Sequence, residues 1–384
     1  FLDREKTALL KIKKAAGIEV DIWAARSIAK AFDKLKIPYP LTEKAKEPSF
    51  TQNWLTNCEA PIAGLIREAR EVNKFHSTFI DSIFKFEHNG RIHAEINQLK
   101  GDAGGTVSGR LSYAHPNLQQ IPARNKDLGP RIRSLFLPDK MCKWGSFDYS
   151  QQEPRLVVHY AASIGFNGSE ELVEAYQNEN ADFHQTVADM AGIPRSQAKT
   201  INLGIFYGMG KNKLSRELGI DKEKAELILK EYNAKVPFVK QLANRAADSA
   251  DKNGAIWTLK GRKCRFDMWE PSSFGLHKAT NFEDAVNKYG KNGIKRAGTY
   301  KALNRLIQGS AADQVKQAMI DCAKKNFYPL IQIHDELCFS LPRENSEPAM
   351  NEIKTIMENC IPSLKVPSKV DISIGNNWGH TDEH

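Results

Sequence analysis

What this chain lacks narrows it first. It has no run of about 18 or more apolar residues, so no membrane-spanning helix is expected. It shows no signal-peptide order of basic, apolar and small residues, and it opens at Phe1 rather than Met, as a fragment or processed product would. Its six cysteines (Cys58, Cys142, Cys264, Cys322, Cys338, Cys360) are scattered and form no CxxC pair. That argues against zinc clusters and disulfide scaffolds and for a reducing compartment. Internal repeats and low-complexity tracts are also missing.

What is present is ordinary globular composition: 384 residues, 41% hydrophobic and 26% charged, with room for a core and two or three domains. The net charge of +9 favours a polyanionic partner, because Lys and Arg that neutralise phosphates release counterions. Many basic proteins bind no nucleic acid, so this charge alone selects no function.

Apolar spacing predicts helix over 1–36 and again over 50–85, with a break at "KIPYP" (36–40). "HNGR" (88–91) reads as a turn into the alternating "IHAEINQL". The Gly-rich stretch that follows, to Arg124, has little periodicity, and long irregular stretches are usually functional or disordered. "KWGSFDYS" reads as a strand and "EPRLVVHYAAS" as the helix after it. Residues 169–250 are helix-rich and 251–300 mixed. A helix over about 300–326, a strand–turn–strand in "YPLIQIHDELCFSLP", a helix near 344–360 and a last strand in "VDISIG" complete an α+β chain.

Four constellations could carry chemistry. Asp148 ends an apolar strand, and Asp335 and Glu336 sit at the tip of an apolar hairpin. If those strands pair, the carboxylates converge and call for a cation between them; hard Asp oxygens suit Mg²⁺. The plainer reading makes each Asp a turn residue, although "HDE" is an unusual choice where tight hairpins favour Gly or Asn. The second constellation is "RSQAKTINLGIFYG" (195–208), where Arg195, Lys199, Leu203 and Tyr207 recur every four residues. Such a stripe drifts by about 40° per step. Its cations stand near the helix N-terminus, which itself favours anions, and a ring further along could stack on a base. The alternative is a solvated basic face beside a core stripe.

Third, "SGRLSYAHPNLQQIPAR" (108–124) carries Arg110, Asn117, Gln119, Gln120 and Arg124 on an irregular backbone, with Gly109 permitting close approach. It reads as a grip on nucleic-acid backbone or minor groove, or as a polar loop. Fourth, Asn304 and Gln308 share a helix face, followed by the small residues 309–312 that suit tight packing.

Together these blocks stop being anonymous. "SGRLSYAHPNLQQIPAR", "DYSQQEPR", "RSQAKTINLGIFYG", "NRLIQGSAAD" and "IHDEL", in this order, resemble the polymerase domain of family A DNA polymerases. The closing "VPSKVDISIGNNWGH" resembles the family's C-terminus, and "QQEPR" and "TYKALNRLIQG" look like phage versions. The resemblance implies a right-hand fold with an antiparallel palm sheet and helical thumb and fingers. It implies a shortened thumb over 1–75, palm over 76–155 and 300–384, and fingers over 156–299.

By the same resemblance Asp148, Asp335 and the Tyr149 carbonyl would bind two Mg²⁺ ions, which Mn²⁺ could replace, with Glu336 an accessory acid. Glu153 matches the residue that blocks a ribose 2′-OH. Lys199, Arg195 and His184 match triphosphate contacts, and Lys199 also the donor to the leaving pyrophosphate. Leu203 and Tyr207 match positions at the incoming nucleotide and nascent base pair. Arg110, Asn304, Gln308 and His334 match primer–template contacts, and Asn117 and Gln119 join them as DNA-binding candidates. The implied activity is template-directed DNA synthesis from deoxynucleoside triphosphates, by a monomer, in the cytoplasm of a bacterial host if the source is a phage.

Three departures stand out. Leu203 replaces the family's usual Phe or Tyr, Tyr300 stands about where bacterial members carry Arg, and 270–298 fits the family poorly. The acidic motifs of a proofreading exonuclease are not found, so no excision of mismatched ends is expected of these residues. The rivals are a metal-dependent phosphohydrolase using His334–Asp335 with His184 and Asp148, and a non-catalytic nucleic-acid binder.

Overall fold

The computed structural model describes residues 1–42, 45–99, 101, 104–122, 125–177, 182–206, 209–273, 275 and 277–383. It divides into two compact units, Phe1–Glu95 with Tyr113–Phe136, and Ile96–Ser112 with Leu137–His384.

The first unit is helical. Leu2–Ala16 (α1), Ala25–Lys34 (α2), Gln52–Asn57 (α3) and Pro61–Lys74 (α4) enclose a core of Ile12, Ile28, Phe32, Leu55, Ile62 and Ile66. The one helix expected over 1–36 is two, because Gly17 takes φ 64° and closes α1 as a left-handed C-cap. Arg70 of α4 then donates to the carbonyls of Ile22 (2.6 Å) and Phe50 (2.7 Å), satisfying backbone that no helix satisfies. The helix expected over 50–85 is likewise interrupted, and α4 restarts with Pro61 in its first turn, where a missing N–H costs nothing.

The second unit is built on a five-stranded antiparallel sheet. Its strands are Cys142–Tyr149 (β1), Ile331–Ile333 (β2), Glu336–Pro342 (β3), Val370–Asn377 (β4) and His380–Glu383 (β5), in spatial order β2-β3-β1-β4-β5. The fifth strand lies beyond the last one expected. The Asn377 side chain accepts from the backbone N–H groups of Gly379 and His380, both at 2.9 Å, and so folds the chain back on itself.

Alternation along β1 decides the two faces of the sheet. Phe147 and Tyr149, with Leu337, Phe339, Val370 and Ile372, form an apolar face. Val315, Ala318 and Cys322 of one long helix and Met350, Ile353 and Met357 of another cover it. The opposite face carries Trp144, Ser146 and Asp148. A fully buried Phe is worth about 1.5–3 kcal/mol, so Phe147 at 0% exposure pins the register that puts Asp148 on the other side.

The helices of this unit include Gln152–Ile164 (α5), Phe183–Ala191 (α6), Arg195–Phe206 (α7), Lys222–Lys235 (α8), Ala302–Lys324 (α9) and Ser346–Asn359 (α10). A second core joins Leu156, Phe183, Ile201, Tyr232 and Ile307 from five of these helices. Buried Arg155 of α5 donates to the carbonyls of Ser150 (2.9 Å) and Pro367 (2.6 Å), tying the end of β1 to the approach to β4. The mixed region beyond residue 250 is a short hairpin (255–257 with 263–265), then Trp269–Pro271 paired with Ile294–Arg296, and a helix at Phe282–Tyr289. Among the described residues no helix is long and apolar enough to cross a membrane.

Candidate active site

The acidic end of the sheet follows from register. Asp148 on β1 stands opposite Glu336 of β3 on one side and opposite Asp371 of β4 on the other. Cross-strand partners share a face, with Cβ atoms about 4.5–5.5 Å apart, so three carboxylates line one row. Asp371 was not foreseen, because its strand was legible but its partner was not. Between β2 and β3 the turn is made by His334, in the left-handed region at φ 54°, and Asp335. The Tyr149 N–H donates to the Asp335 carbonyl at 3.3 Å, and the Gln332 amide donates to the His334 carbonyl at 2.7 Å. The Tyr149 ring lies on the apolar face, its hydroxyl donating to the Met357 carbonyl at 2.7 Å. The backbone of Tyr149 is thereby left at the acidic end.

Burial pushes the Asp335 carboxyl above the usual carboxylate range, and Glu336 adds to this, while Arg110 and His334 pull it down. A cation at this end would reverse the effect of burial. Among the described residues no group of three or more His, Cys, Asp or Glu side chains is arranged to hold a metal ion by itself. The residues that are present offer oxygen only, on an open end. That suits Mg²⁺ or Mn²⁺, which complete their shells with water and substrate oxygens.

Arg110 reaches the same end. Its Nη2 donates to Glu153 Oε1 at 2.7 Å, both groups being largely covered. Arg110 and His334 also line one small cleft with Gln332 and Lys316. The loop bearing Arg110 is held by a residue that the sequence did not single out. Arg262 of the 255–265 hairpin donates from Nε to Asp313 Oδ1 (3.0 Å) and from Nη2 to the carbonyls of Ser108 (2.5 Å) and Gly309 (3.1 Å). Gly109 has φ 84°, and a Cβ there would meet this guanidinium at 2.6 Å; a Cβ on Gly309 would meet Thr258 at the same distance. The close approach expected of both glycines is therefore to Arg262 and its hairpin. Only Arg and Asp at hairpin and helix positions far apart in sequence could have hinted at the clamp.

Asn304 and Gln308 sit part-exposed on successive turns of α9. Asn117 and Gln119 belong to the first unit, where the Asn117 side chain accepts from the Gln119 N–H at 3.1 Å and caps a 3₁₀ turn.

The stripe on α7 winds from solvent toward the core. Arg195 and Lys199 are exposed, Ala198 and Ile201 are fully buried, and Leu203 packs partly buried against the helical core. The basic face and the core stripe coexist on one helix. Arg195 donates from Nε (2.8 Å) and Nη2 (2.5 Å) to Asp182 Oδ2. The other oxygen of Asp182 caps α6, accepting from the N–H groups of His184 (2.9 Å) and Gln185 (3.2 Å). His184 is buried, which pushes its imidazole pKa down; Asp182 pulls it up, and Arg195 and Lys199 push it further down. Tyr207 and Arg124 lie outside the described residues.

Known proteins resemble this chain in sequence and in fold. The chain is 37% identical to a DNA-directed DNA polymerase of Pseudomonas phage M6, over 99% of its own length and 61% of that protein. It is 33% identical to the thermostable DNA polymerase I of Thermus filiformis, over 90% of its length and 40% of that protein. It thus spans about three-fifths or less of these two relatives. Among solved structures, the polymerase domain of Pol1 from M. smegmatis, in complex with DNA primer–template and dNTP, matches with a TM-score of 0.77 at 26% identity. That match covers 98% of this chain and 65% of the other. The sequence model described as DNA polymerase family A matches residues 3–380, and with the fold and the relatives it establishes that this chain belongs to DNA polymerase family A.

Proposed function

We propose that the chain performs template-directed DNA synthesis, adding deoxynucleotides to a primer 3′-OH by two-metal phosphoryl transfer. The observation that carries this is the register of β1 and β3, which sets Asp148 beside Glu336 while Tyr149 N–H holds the Asp335 carbonyl. In this reading 1–75 is the thumb, 76–155 and 300–384 the palm, and 156–299 the fingers. Asp148 and Asp335, with the Tyr149 carbonyl, are the groups that would hold two Mg²⁺ ions. When bound, the ions supply a lowered pKa at the primer hydroxyl and charge neutralisation on the triphosphate.

The protein's own share is positioning and charge. Lys199 and Arg195 bind the triphosphate, and Lys199 donates a proton to the leaving pyrophosphate. For that, Arg195 exchanges Asp182 for phosphate, or shares itself between them. Glu153 occupies the space a ribose 2′-OH would need. Arg110, released from Glu153 or bridging to it, holds the primer end with His334, Gln308 and Asn304, while Asn117 and Gln119 contact the duplex. Leu203 and Tyr207 pack at the incoming nucleotide. Closure of α6 and α7 over the correct nucleotide then assembles the cations on it.

Two finer points belong to the same proposal. These 384 residues carry no excision of mismatched primer ends, and the protein works as a monomer in a reducing cytoplasm. His334 and Asp335 would serve a phosphohydrolase only together with His184, and the ring of His184 is engaged by Asn202 on α7.

The test is primer extension with Mg²⁺ and all four deoxynucleotides. Extension by the wild type, lost in Asp148→Ala and Asp335→Ala and abolished by chelation, is expected. Hydrolysis of nucleotide without template and no extension would overturn the proposal. Excision of a mismatched primer end would overturn the finer point.

A further inference from the structure

A chain of buried polar groups runs across three helices behind His184. Tyr232 on α8 is 1% exposed, and its hydroxyl donates to Oδ1 of Asn202. Asn202 on α7 has no exposure at all, and its Nδ2 lies 3.2 Å from Nδ1 of His184 on α6. Buried polar side chains are kept only where they are satisfied, so three of them in series make a demanding arrangement.

Direction follows from the placement of the Asn202 amide, whose Oδ1 faces the Tyr232 hydroxyl and whose Nδ2 faces His184. A phenol buried this deeply keeps its proton, and burial pushes the Tyr232 hydroxyl pKa well up. Its O–H gives to the Asn202 carbonyl oxygen, which turns the amide NH₂ toward His184. An amide NH₂ can only donate, so Nδ1 of His184 must accept and be bare. A neutral imidazole has one N–H, which leaves it on Nε2. The charged groups facing the ring are Asp182 beside it on α6 and Arg195 and Lys199 on α7. Two cations against one anion, together with burial, favour the neutral ring.

We propose that Asn202, oriented by Tyr232, is a positioning residue that fixes His184 as the Nε2–H tautomer, so that the imidazole serves as a neutral donor to a nucleotide phosphate oxygen. The proposal rests on the reading of His184 as a triphosphate contact. It adds a division of labour: Arg195 and Lys199 supply charge, and His184 supplies one directed donor whose orientation is set from behind. A neutral donor beside two cations binds an anion without the repulsion that a third cation would add.

The test is nuclear magnetic resonance of the protein labelled with ¹⁵N-histidine, with the His184 ring assigned by its loss in His184→Gln. The expected spectrum is a neutral ring with protonated Nε2 and bare Nδ1, persisting below the ordinary imidazole pKa. Tyr232→Phe keeps the buried ring and removes only the hydroxyl. It is expected to let the Asn202 amide turn, giving mixed tautomers and raising the nucleotide KM about three- to ten-fold, with kcat changed less. Asn202→Asp is expected to draw a proton onto Nδ1 and make the nucleotide KM depend on pH between about 6 and 8.

A wild-type ring protonated on Nδ1, or charged at neutral pH, overturns the proposal, as does a single unchanged tautomer in Tyr232→Phe. Failure of the wild type to extend a primer would instead sink the polymerase reading and leave the tautomer result standing. The two failures are therefore distinct.

Discussion

The acidic end of the sheet and the cationic face of α6 and α7 are built in different ways. Asp148, Glu336 and Asp371 are placed by backbone register, with Phe147, Leu337 and Ile372 buried on the reverse face as the lock. Arg195 and His184 are placed by side-chain partners, Asp182 and Asn202, on helices that bury only part of their surface. Sliding a strand by one residue would turn its whole apolar face to water. Rotating a guanidinium costs far less. Under the proposed function, a site that holds metal ligands still, yet takes up and releases a nucleotide, would use both kinds of support.

Removing Asp148 should have the largest effect and breaks the comparison at its rigid side. Asp148→Ala is expected to lower the extension rate by about 10³-fold or more with the melting temperature nearly unchanged, measured by single-turnover extension. Retained activity would mean that the acidic row is structural. Arg262→Ala comes next, and it tests a rigid support built from side chains. It leaves Asp313, which is almost fully buried, without its ion pair, and frees the carbonyls of Ser108 and Gly309. A loss of about 2 kcal/mol in urea denaturation is expected, together with a raised KM for primer–template because Arg110 loses its support. No change in either would show that the hairpin does not hold the loop.

Leu203 sharpens the adjustable side. It lacks a ring face and a hydroxyl, so chain-terminating 3′-deoxy analogues should be used poorly, by about 10²-fold against natural nucleotides. Efficient termination with normal extension would contradict this.

The smallest effect concerns pH. Burial lowers the pKa of both His159 and His184, and His159 Nδ1 accepts from the Lys365 N–H at 3.1 Å. The unfolded chain then binds protons first as pH falls, so stability is full above the ordinary imidazole value and declines below it. Replacing His159 with Gln should flatten that slope, read from urea midpoints between pH 5 and 8 (about the imidazole window). An unchanged slope would assign the acid sensitivity elsewhere.

Several of these features were legible beforehand and several were not. The strand ending at Asp148 and the hairpin at Asp335 showed as short, largely apolar runs, because these strands are buried on both faces. The helix at 195–206 showed in side chains that recur every four residues. Gly17 was overlooked because one glycine barely weakens a helical pattern, yet here it ends the helix. The edge strand β5 was missed because a short polar strand has almost no pattern of its own.

The amino-acid sequence by itself determined which residues are apolar and at what spacing, and hence the helices, the principal strands and the family. It also placed two cations near the start of one helix and a histidine near the start of the helix before it. Only the tertiary structure decided that Asp371 stands beside Asp148, that Arg262 grips the Ser108 carbonyl, and that Asn202 meets both His184 and Tyr232. The physical reason is that local patterning reports which face of an element is buried. Partners from distant elements are selected by register and by the need to satisfy each buried polar atom, and neither requirement leaves a mark on its own stretch of chain.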